Sequence, residues 1–149
     1  ELDARDTPVV LVLFGDHKPW MGNGGSVYEE MGIDFDTSTL AGFRNYYATP
    51  YLIWANRAAK EVLGADFTGD GGDFSPCFLM TRLFDACGWA GPGYMQLSRA
   101  MRDISPLLHT NGLFLHDGVL TSVLSDTDRS FYRSWLAVQY YREHVAAYS

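Results

Sequence analysis

The feature that most constrains the fold of this chain is an uninterrupted apolar run near its start, V-V-L-V-L-F at residues 9–14. The run lacks helical spacing and is rich in β-branched side chains, which predicts a strand buried on both faces of a parallel sheet. Gly15 ends the run, and Asp16 and His17 follow it directly. Because open α/β sheets bind ligands in the crevice outside their strand ends, this pair is the first candidate for a functional site.

The sequence contains few other apolar runs that could form strands of the predicted sheet. Y-L-I-W-A at residues 51–55 is the one other run of comparable apolar character. R-A-A-K-E-V-L at residues 57–63 then predicts a short helix, which Gly64 ends. We therefore expect a partial parallel sheet flanked by helices.

A helix with clear start and stop signals follows in the middle of the chain. Ser75 is a typical cap, Pro76 suits the first helical position, and Gly88 ends the pattern. Cys77 and Cys87 lie ten residues apart on this helix, hence about 15 Å apart along its axis. That separation is too great for a disulfide bond, so we predict two free thiols.

The last third of the chain predicts a hairpin and a long helix. Asp117 and Gly118 are typical of a type I′ turn and indicate an antiparallel hairpin over residues 112–122. Ser125 and Asp128 have capping-box spacing and predict a long helix that begins there and extends to about Ala146. The predicted fold class is therefore α/β, with a carboxyl-terminal antiparallel hairpin and a closing long helix.

Composition limits the number of domains and the class of partner. The chain has 149 residues, of which 47% are hydrophobic, so residues 1–149 are predicted to form a single domain. A net charge of −7 with scattered basic residues argues against nucleic-acid binding. No apolar run approaches the roughly 20 residues that cross a bilayer. The first residues, E-L-D-A-R-D, lack a signal-peptide pattern, so the chain is expected to be soluble.

The adjacent Asp16 and His17 offer chemistry as well as position. They supply a carboxylate oxygen and an imidazole nitrogen, which suit Mn²⁺, Zn²⁺ or Fe²⁺. Because both follow a strand end, both could face one metal ion. In the alternative interpretation, Asp16 caps the next turn and His17 is an ordinary polar residue with its hydrogen bonds satisfied.

Three sequence blocks, taken in order, carry a resemblance to a known family. They are V-L-V-L-F-G-D-H-K-P-W at 10–20, F-R-N-Y-Y-A-T-P-Y-L-I-W-A-N at 43–56 and S-P-C-F-L-M-T-R-L-F-D-A-C-G at 75–88. Together they resemble the carboxyl-terminal portion of the lipoteichoic acid synthase and phosphoglycerol transferase family. That family belongs to the alkaline phosphatase and sulfatase superfamily, so the resemblance implies the carboxyl-terminal part of an alkaline phosphatase-like domain.

The resemblance implies a metal site that this chain completes only in part. In the family the Asp and His of G-D-H bind a catalytic divalent metal, usually manganese, and they correspond to Asp16 and His17 here; magnesium and zinc are the alternatives. The other ligands and the threonine nucleophile come from an earlier portion of the domain. This chain would therefore hold no catalytic nucleophile and would need the missing amino-terminal half as its partner. The parent protein would act at the extracellular face of the cell membrane.

The implied reaction is phosphoryl transfer from a phosphatidylglycerol-like lipid, or hydrolysis of another phosphate or sulfate ester. Lys18 could offer a cation to a phosphate, and Trp20 could form a wall against a glycerol or sugar. A solvated lysine and a core tryptophan are the ordinary alternatives at these positions.

A second hypothesis is a non-catalytic α/β module for binding or assembly. The absence of a nucleophile motivates it, together with an aromatic content of 15%. Exposed apolar surface would then make a homo-oligomer. The aromatic cluster at residues 43–54 could line a groove, although packing in a core is the simpler interpretation.

Overall fold

The structure of this chain, a computed structural model, describes residues 1–145. The chain divides into two compact units, Glu1–Phe67 and Thr68–Ser149, and the prediction of one domain stays a prediction. The strands and helices, in order, are β1 Val10–Phe14, α1 Ser26–Glu30, α2 Leu40–Tyr47, β2 Tyr51–Ala55, α3 Arg57–Leu63, α4 Leu79–Ala86, α5 Gly93–Ile104, β3 Phe114–His116, β4 Val119–Thr121 and α6 Asp126–His144.

The first unit is built on β1 and β2, which pair with each other. Both strands lie where the sequence predicts them, but they run antiparallel, with Val10 opposite Ala55 and Phe14 opposite Tyr51. The prediction of a parallel sheet is therefore wrong for these strands, and among residues 1–145 neither of them pairs with a third. A continuous apolar run indicates that both faces are suited to burial, but it carries no information on strand direction.

Both faces of this two-stranded sheet are apolar, and both are partly uncovered. Leu13 and Leu52 are opposite each other and therefore share one face, where they are 53% and 50% exposed. Phe14 lies on the other face and is 60% exposed. The predicted burial on both faces is wrong for the far end of β1, although the side chains there are those of a buried strand.

Asn56 joins the near end of the sheet to the residues that precede it. Its side chain is fully buried, and its Oδ1 accepts hydrogen bonds from the amides of Val9 and Ala59, each at 2.9 Å. The bond from Ala59 caps α3, which ends at Gly64 as predicted. Nδ2 donates to three main-chain carbonyls, those of Leu2, Arg5 and Thr7. One amide side chain thus fixes the entry to β1, the exit from β2 and the start of α3.

The helix α2 is not indicated by the sequence pattern, because a glycine and three aromatic residues weaken the helical signal. Thr39 begins it, since its Oγ1 accepts a hydrogen bond from the amide of Gly42 at 3.0 Å. Gly42 lies so close to the backbone of Asp36 that a Cβ atom there would collide with it. Glycine is unfavourable in a helix, but it is required here because the two backbone segments approach too closely for a side chain.

The second unit has its core where the turn that precedes α4 packs against α5 and α6. Phe78, Met101 and Trp135 are its buried members. The Trp135 indole donates a hydrogen bond to the hydroxyl of Ser98 at 3.0 Å, so its polar atom is satisfied inside the core.

The helix predicted from Ser75 begins later than its signals indicate. The Ser75 hydroxyl is bound to the backbone of Leu108 and caps nothing, and a 3₁₀ turn, Pro76–Phe78, precedes α4. The long-range contact of the serine replaces its local capping role. Both cysteines are free, as predicted.

The predicted hairpin and closing helix are confirmed. β3 and β4 pair antiparallel, and Asp117 and Gly118 have φ values of 49° and 77°, as a type I′ turn requires. The Ser125 hydroxyl accepts the amide of Asp128 at 3.1 Å and begins α6. The predicted helix end, Ala146, lies outside the described residues. No helix within residues 1–145 has the length and apolar character that would span a membrane.

A partly buried ion cluster joins α4 to α5. The two carboxylate oxygens of Asp85 accept hydrogen bonds from Arg99 at 2.6 Å and from Arg102 at 2.7 Å. Arg102 also donates to the hydroxyl of the buried Thr81 at 3.2 Å. Burial opposes the ionisation of Asp85, but the hydrogen bonds from Arg102 and Arg99 outweigh it, so the pKa of this carboxyl lies below its ordinary value.

Replacing Asn56 by aspartate should destabilise the first unit strongly. Asn56→Asp keeps the shape but removes both donor hydrogens and places a carboxylate against three carbonyl oxygens. We expect a loss of about 3 kcal/mol or more in the free energy of unfolding, measured by urea denaturation. The exposed Asn23→Asp is the matched control and should change it by less than about 0.5 kcal/mol. Equal stabilities of the two variants would contradict the role given to Asn56.

Replacing Asp85 should reduce stability in a pH-dependent way. Because its pKa is lowered by folding, the carboxylate stabilises the second unit above pH 3.8, and this stabilisation is lost as the pH falls through the folded pKa. Asp85→Asn should cost about 2 kcal/mol at neutral pH, and the difference from the wild type should shrink in acid. Urea denaturation at several pH values measures it. Asp126→Asn, at an exposed position in the first turn of α6, serves as control. A constant difference for Asp85→Asn across the pH range would refute the assignment.

Candidate functional site

The loop that carries the predicted site leaves the sheet from a fixed point. The Gly15 amide donates to the carbonyl of Pro50 at 3.0 Å, and the Thr49 hydroxyl donates to the carbonyl of Gly15 at 2.6 Å. A Cβ atom at Gly15 would lie 3.0 Å from Cβ of Thr49, so the approach leaves little room for a larger residue. The amide and the carbonyl of Gly15 are therefore both hydrogen-bonded, and these bonds fix the backbone immediately before Asp16 and His17.

Asp16 and His17 project from this point into solvent, with side chains 81% and 79% exposed. The His17 Nδ1 lies 3.0 Å from the carbonyl oxygen of Lys18. A carbonyl can only accept a hydrogen bond, so this contact requires a proton on Nδ1, and in the neutral imidazole Nε2 then carries the lone pair. That nitrogen lies 3.7 Å from Oδ2 of Asp16.

The pair is arranged so that one cation could contact both donor atoms. An imidazole lone pair and a carboxylate oxygen that face each other can share one cation, either a proton or a metal ion. Metal–ligand distances of about 2.0–2.2 Å from each atom are compatible with this separation. The other Asp16 oxygen, Oδ1, accepts the amide of the adjacent His17 at 2.8 Å. This local bond leaves Oδ2 as the outward donor atom, and the alternative in which Asp16 caps the next turn stays a prediction.

Two donors make only part of a metal site. Within the described range 1–145, no group of three or more histidine, cysteine, aspartate or glutamate side chains could hold a metal ion. A metal bound by Asp16 and His17 would need ligands beyond these two side chains. The donor types suit a divalent metal, and their number does not complete its coordination.

Lys18 and Trp20, the two residues predicted to contact substrate, have different surroundings. The Lys18 ammonium donates a hydrogen bond to the main-chain carbonyl of Asn45 and lies 6.0 Å from the ring centre of Phe35. The alternative of a freely solvated lysine is thus wrong. Trp20 is 58% exposed and packs edge-on against Tyr46, so the alternative of a core tryptophan is also wrong. A role in substrate binding stays a prediction for both residues.

The aromatic residues beside this loop are mainly packing residues. Phe43 and Tyr28 are buried, and the Tyr28 hydroxyl donates to the carbonyl of Pro19 at 2.6 Å. From Tyr28 the ring contacts continue to Phe35 and then to Tyr46, with centroids 5.0 and 5.4 Å apart. Tyr47 completes the chain to Phe43, with its ring centre 4.6 Å from that of each neighbour. Of the predicted cluster at residues 43–54, core packing is confirmed for Phe43, whereas Tyr47 is exposed. The sequence did not single out Tyr28, whose hydrogen bond to Pro19 supports the loop.

A second Asp–His pair with similar geometry was not indicated by histidine spacing. His116 and Asp117 are adjacent in the β3–β4 hairpin, and Nε2 of the histidine lies 3.7 Å from Oδ2 of the aspartate. Nδ1 of His116 faces the carbonyl of Ile104 at 3.1 Å. A search for adjacent histidine and aspartate residues in the sequence would have identified this pair. The donor separation alone therefore does not distinguish a functional pair, and the position in the fold must do so.

A depression of about 270 Å³ in the second unit is a further candidate site. Arg82 and Arg102 line it, together with Asp73 and Asp103. Arg82 donates to the carbonyl of Gly71 at 3.0 Å, and Arg102 is held by Asp85. Because both guanidinium groups already have protein acceptors and acidic neighbours, the depression does not favour an anionic ligand.

The chain was compared with protein-family models, curated proteins and solved structures, and it matches none of them. The family resemblance of the three sequence blocks therefore stays a prediction. What bears on function is the geometry of the chain itself.

Removing the hydroxyl of Thr49 should loosen the point from which the loop departs. Thr49→Val keeps the side-chain shape but deletes the bond to Gly15. We expect a loss of about 1 kcal/mol in the free energy of unfolding and faster amide hydrogen exchange at Gly15. Thr49→Ser retains the hydroxyl and should stay close to the wild type in exchange rate. Wild-type exchange in Thr49→Val would show that the bond does not hold the loop.

Proposed function

We propose that this chain is the carboxyl-terminal part of an extracytoplasmic, metal-dependent phosphoglycerol transferase or sulfatase-like hydrolase. In this proposal it forms part of an alkaline phosphatase-like domain and supplies two metal ligands, Asp16 and His17. The nucleophile and the remaining ligands come from the missing amino-terminal half. The substrate is a phosphatidylglycerol-like lipid or another phosphate or sulfate ester.

The observation that carries the proposal is where the pair lies. Asp16 and His17 follow the end of β1, whose Leu13 and Phe14 expose apolar surface on opposite faces of the sheet. A strand with two apolar faces is typical of the interior of an α/β sheet, covered on both sides. Protein that covers these faces would also lie beside the pair, where it could supply the missing ligands. The His116–Asp117 pair has the same donor separation, but it lies at the tip of a small hairpin.

The roles of the two residues follow from their donor atoms. Asp16 would bind the metal through Oδ2 and His17 through Nε2, because Oδ1 and Nδ1 already have hydrogen-bond partners. When bound, a divalent metal of this class activates a nucleophile and neutralises negative charge on a phosphate ester. Manganese is the proposed ion, with magnesium and zinc as alternatives.

A second candidate function is a non-catalytic assembly module. The exposed residues Leu13, Phe14 and Leu52 favour it, since a second copy of the chain could also cover them. Light scattering of the 149-residue chain separates the two functions. A stable, defined oligomer favours the assembly module, whereas a monomer that aggregates as its concentration rises favours the incomplete domain.

Substitution of the pair in the longer protein tests the enzymatic proposal. Cleavage of a chromogenic phosphodiester should require Mn²⁺, and Asp16→Ala or His17→Ala should lower the rate by about 100-fold or more, since loss of a ligand exceeds the effect of a supporting residue. His116→Ala and Asp117→Ala are matched controls with the same donor geometry and should retain activity. Full activity of Asp16→Ala, or activity that is independent of metal, would refute the proposal.

A further inference from the structure

Lys18 makes hydrogen bonds to two different partners, one through its side-chain ammonium and one through its main-chain carbonyl. The ammonium donates to the carbonyl of Asn45, which lies in the last turn of α2. Carbonyls in the last turn of a helix have no intrahelical partner and lie at the negative end of the helix dipole. The Lys18 main-chain carbonyl meanwhile accepts the hydrogen bond from Nδ1 of His17. The lysine therefore links the helix end to the histidine.

This link bears on which nitrogen of His17 is free to bind a metal. An exposed histidine can carry its proton on either ring nitrogen, and a hydrogen bond to one nitrogen decides between them. Metal-binding histidines commonly donate their second nitrogen to a carbonyl, which fixes the tautomer and the ring orientation. In His17 that carbonyl belongs to Lys18, in a loop whose other anchors are Thr49 and Tyr28.

We propose that Lys18 is a positioning residue for His17. By binding the end of α2, its ammonium holds its own carbonyl in place, so that His17 keeps its proton on Nδ1 and presents Nε2 beside Asp16. The functional role of this positioning rests on the proposed function, in which His17 is a metal ligand. The ammonium is committed to a carbonyl, and this differs from the substrate-binding role predicted from the sequence.

The tautomer of His17 can be measured without metal. Long-range ¹H–¹⁵N correlation spectra of the 149-residue chain, recorded at about pH 8.5 where an ordinary imidazole is neutral, report which ring nitrogen is protonated. The wild type should show His17 mainly protonated on Nδ1. Lys18→Met should lower the ratio of the Nδ1-protonated to the Nε2-protonated form several-fold, and Lys18→Arg should restore it.

The chain offers matched controls for this measurement. Lys60 is the other of its two lysines, so Lys60→Met removes the same charge elsewhere and should leave His17 unchanged. His116 is an internal reference, because its Nδ1 faces the carbonyl of Ile104. Its signals should be the same in every variant and report that the second unit is intact. An Nε2-protonated His17 in the wild type, or an unchanged ratio in Lys18→Met, would overturn the proposal.

Kinetics of the longer protein separate this proposal from the proposed function. Lys18→Met should raise the Mn²⁺ concentration for half-maximal activity by about 10-fold and leave KM for the ester unchanged at saturating metal. A raised KM with unaltered metal dependence would instead identify a phosphate-binding lysine and refute positioning. If the tautomer shifts as expected but His17→Ala keeps full activity, Lys18 still positions His17 and only the metal-dependent function fails.

Discussion

The antiparallel pairing of β1 with β2 is the interaction on which the first unit depends. Asn56 fixes one end of this pairing, where its side chain binds the backbone before β1 and begins α3. Gly15 fixes the other end through Pro50 and Thr49. The loop with the Asp–His pair therefore starts from a backbone held on both strands, although the pair itself lies in solvent.

Local signals in the sequence predict most of the elements but not their partners. The hairpin at Asp117, the start of α6 at Ser125 and the bounds of β2 follow from turn, cap and apolar patterns, which act over a few residues. The direction in which β1 meets β2 depends on residues far apart in the chain. The same holds for Ser75, whose hydroxyl binds Leu108 and not the helix that follows it.

The candidate site shows the same division between local and distant effects. The sequence identifies Asp16 and His17 through their position after a strand, and the structure gives them donor atoms that face each other. The sequence does not reveal that Lys18 binds the end of α2, because Asn45 lies 27 residues away along the chain. Nor does it reveal that Trp20 stays exposed, since an aromatic residue next to a strand suits a core and a surface equally well.

The exposed end of β1 has a consequence for the handling of this polypeptide in a cell. Residues 9–14 contain no charge and no proline and are rich in β-branched side chains, a composition typical of segments that form cross-β fibrils. Pro8 and Pro50 precede the two strands and interrupt amide donors at their entrances. The exposed strand residues that follow them stay competent for intermolecular stacking, so chaperone engagement and proteolytic turnover should rise when this segment is left uncovered.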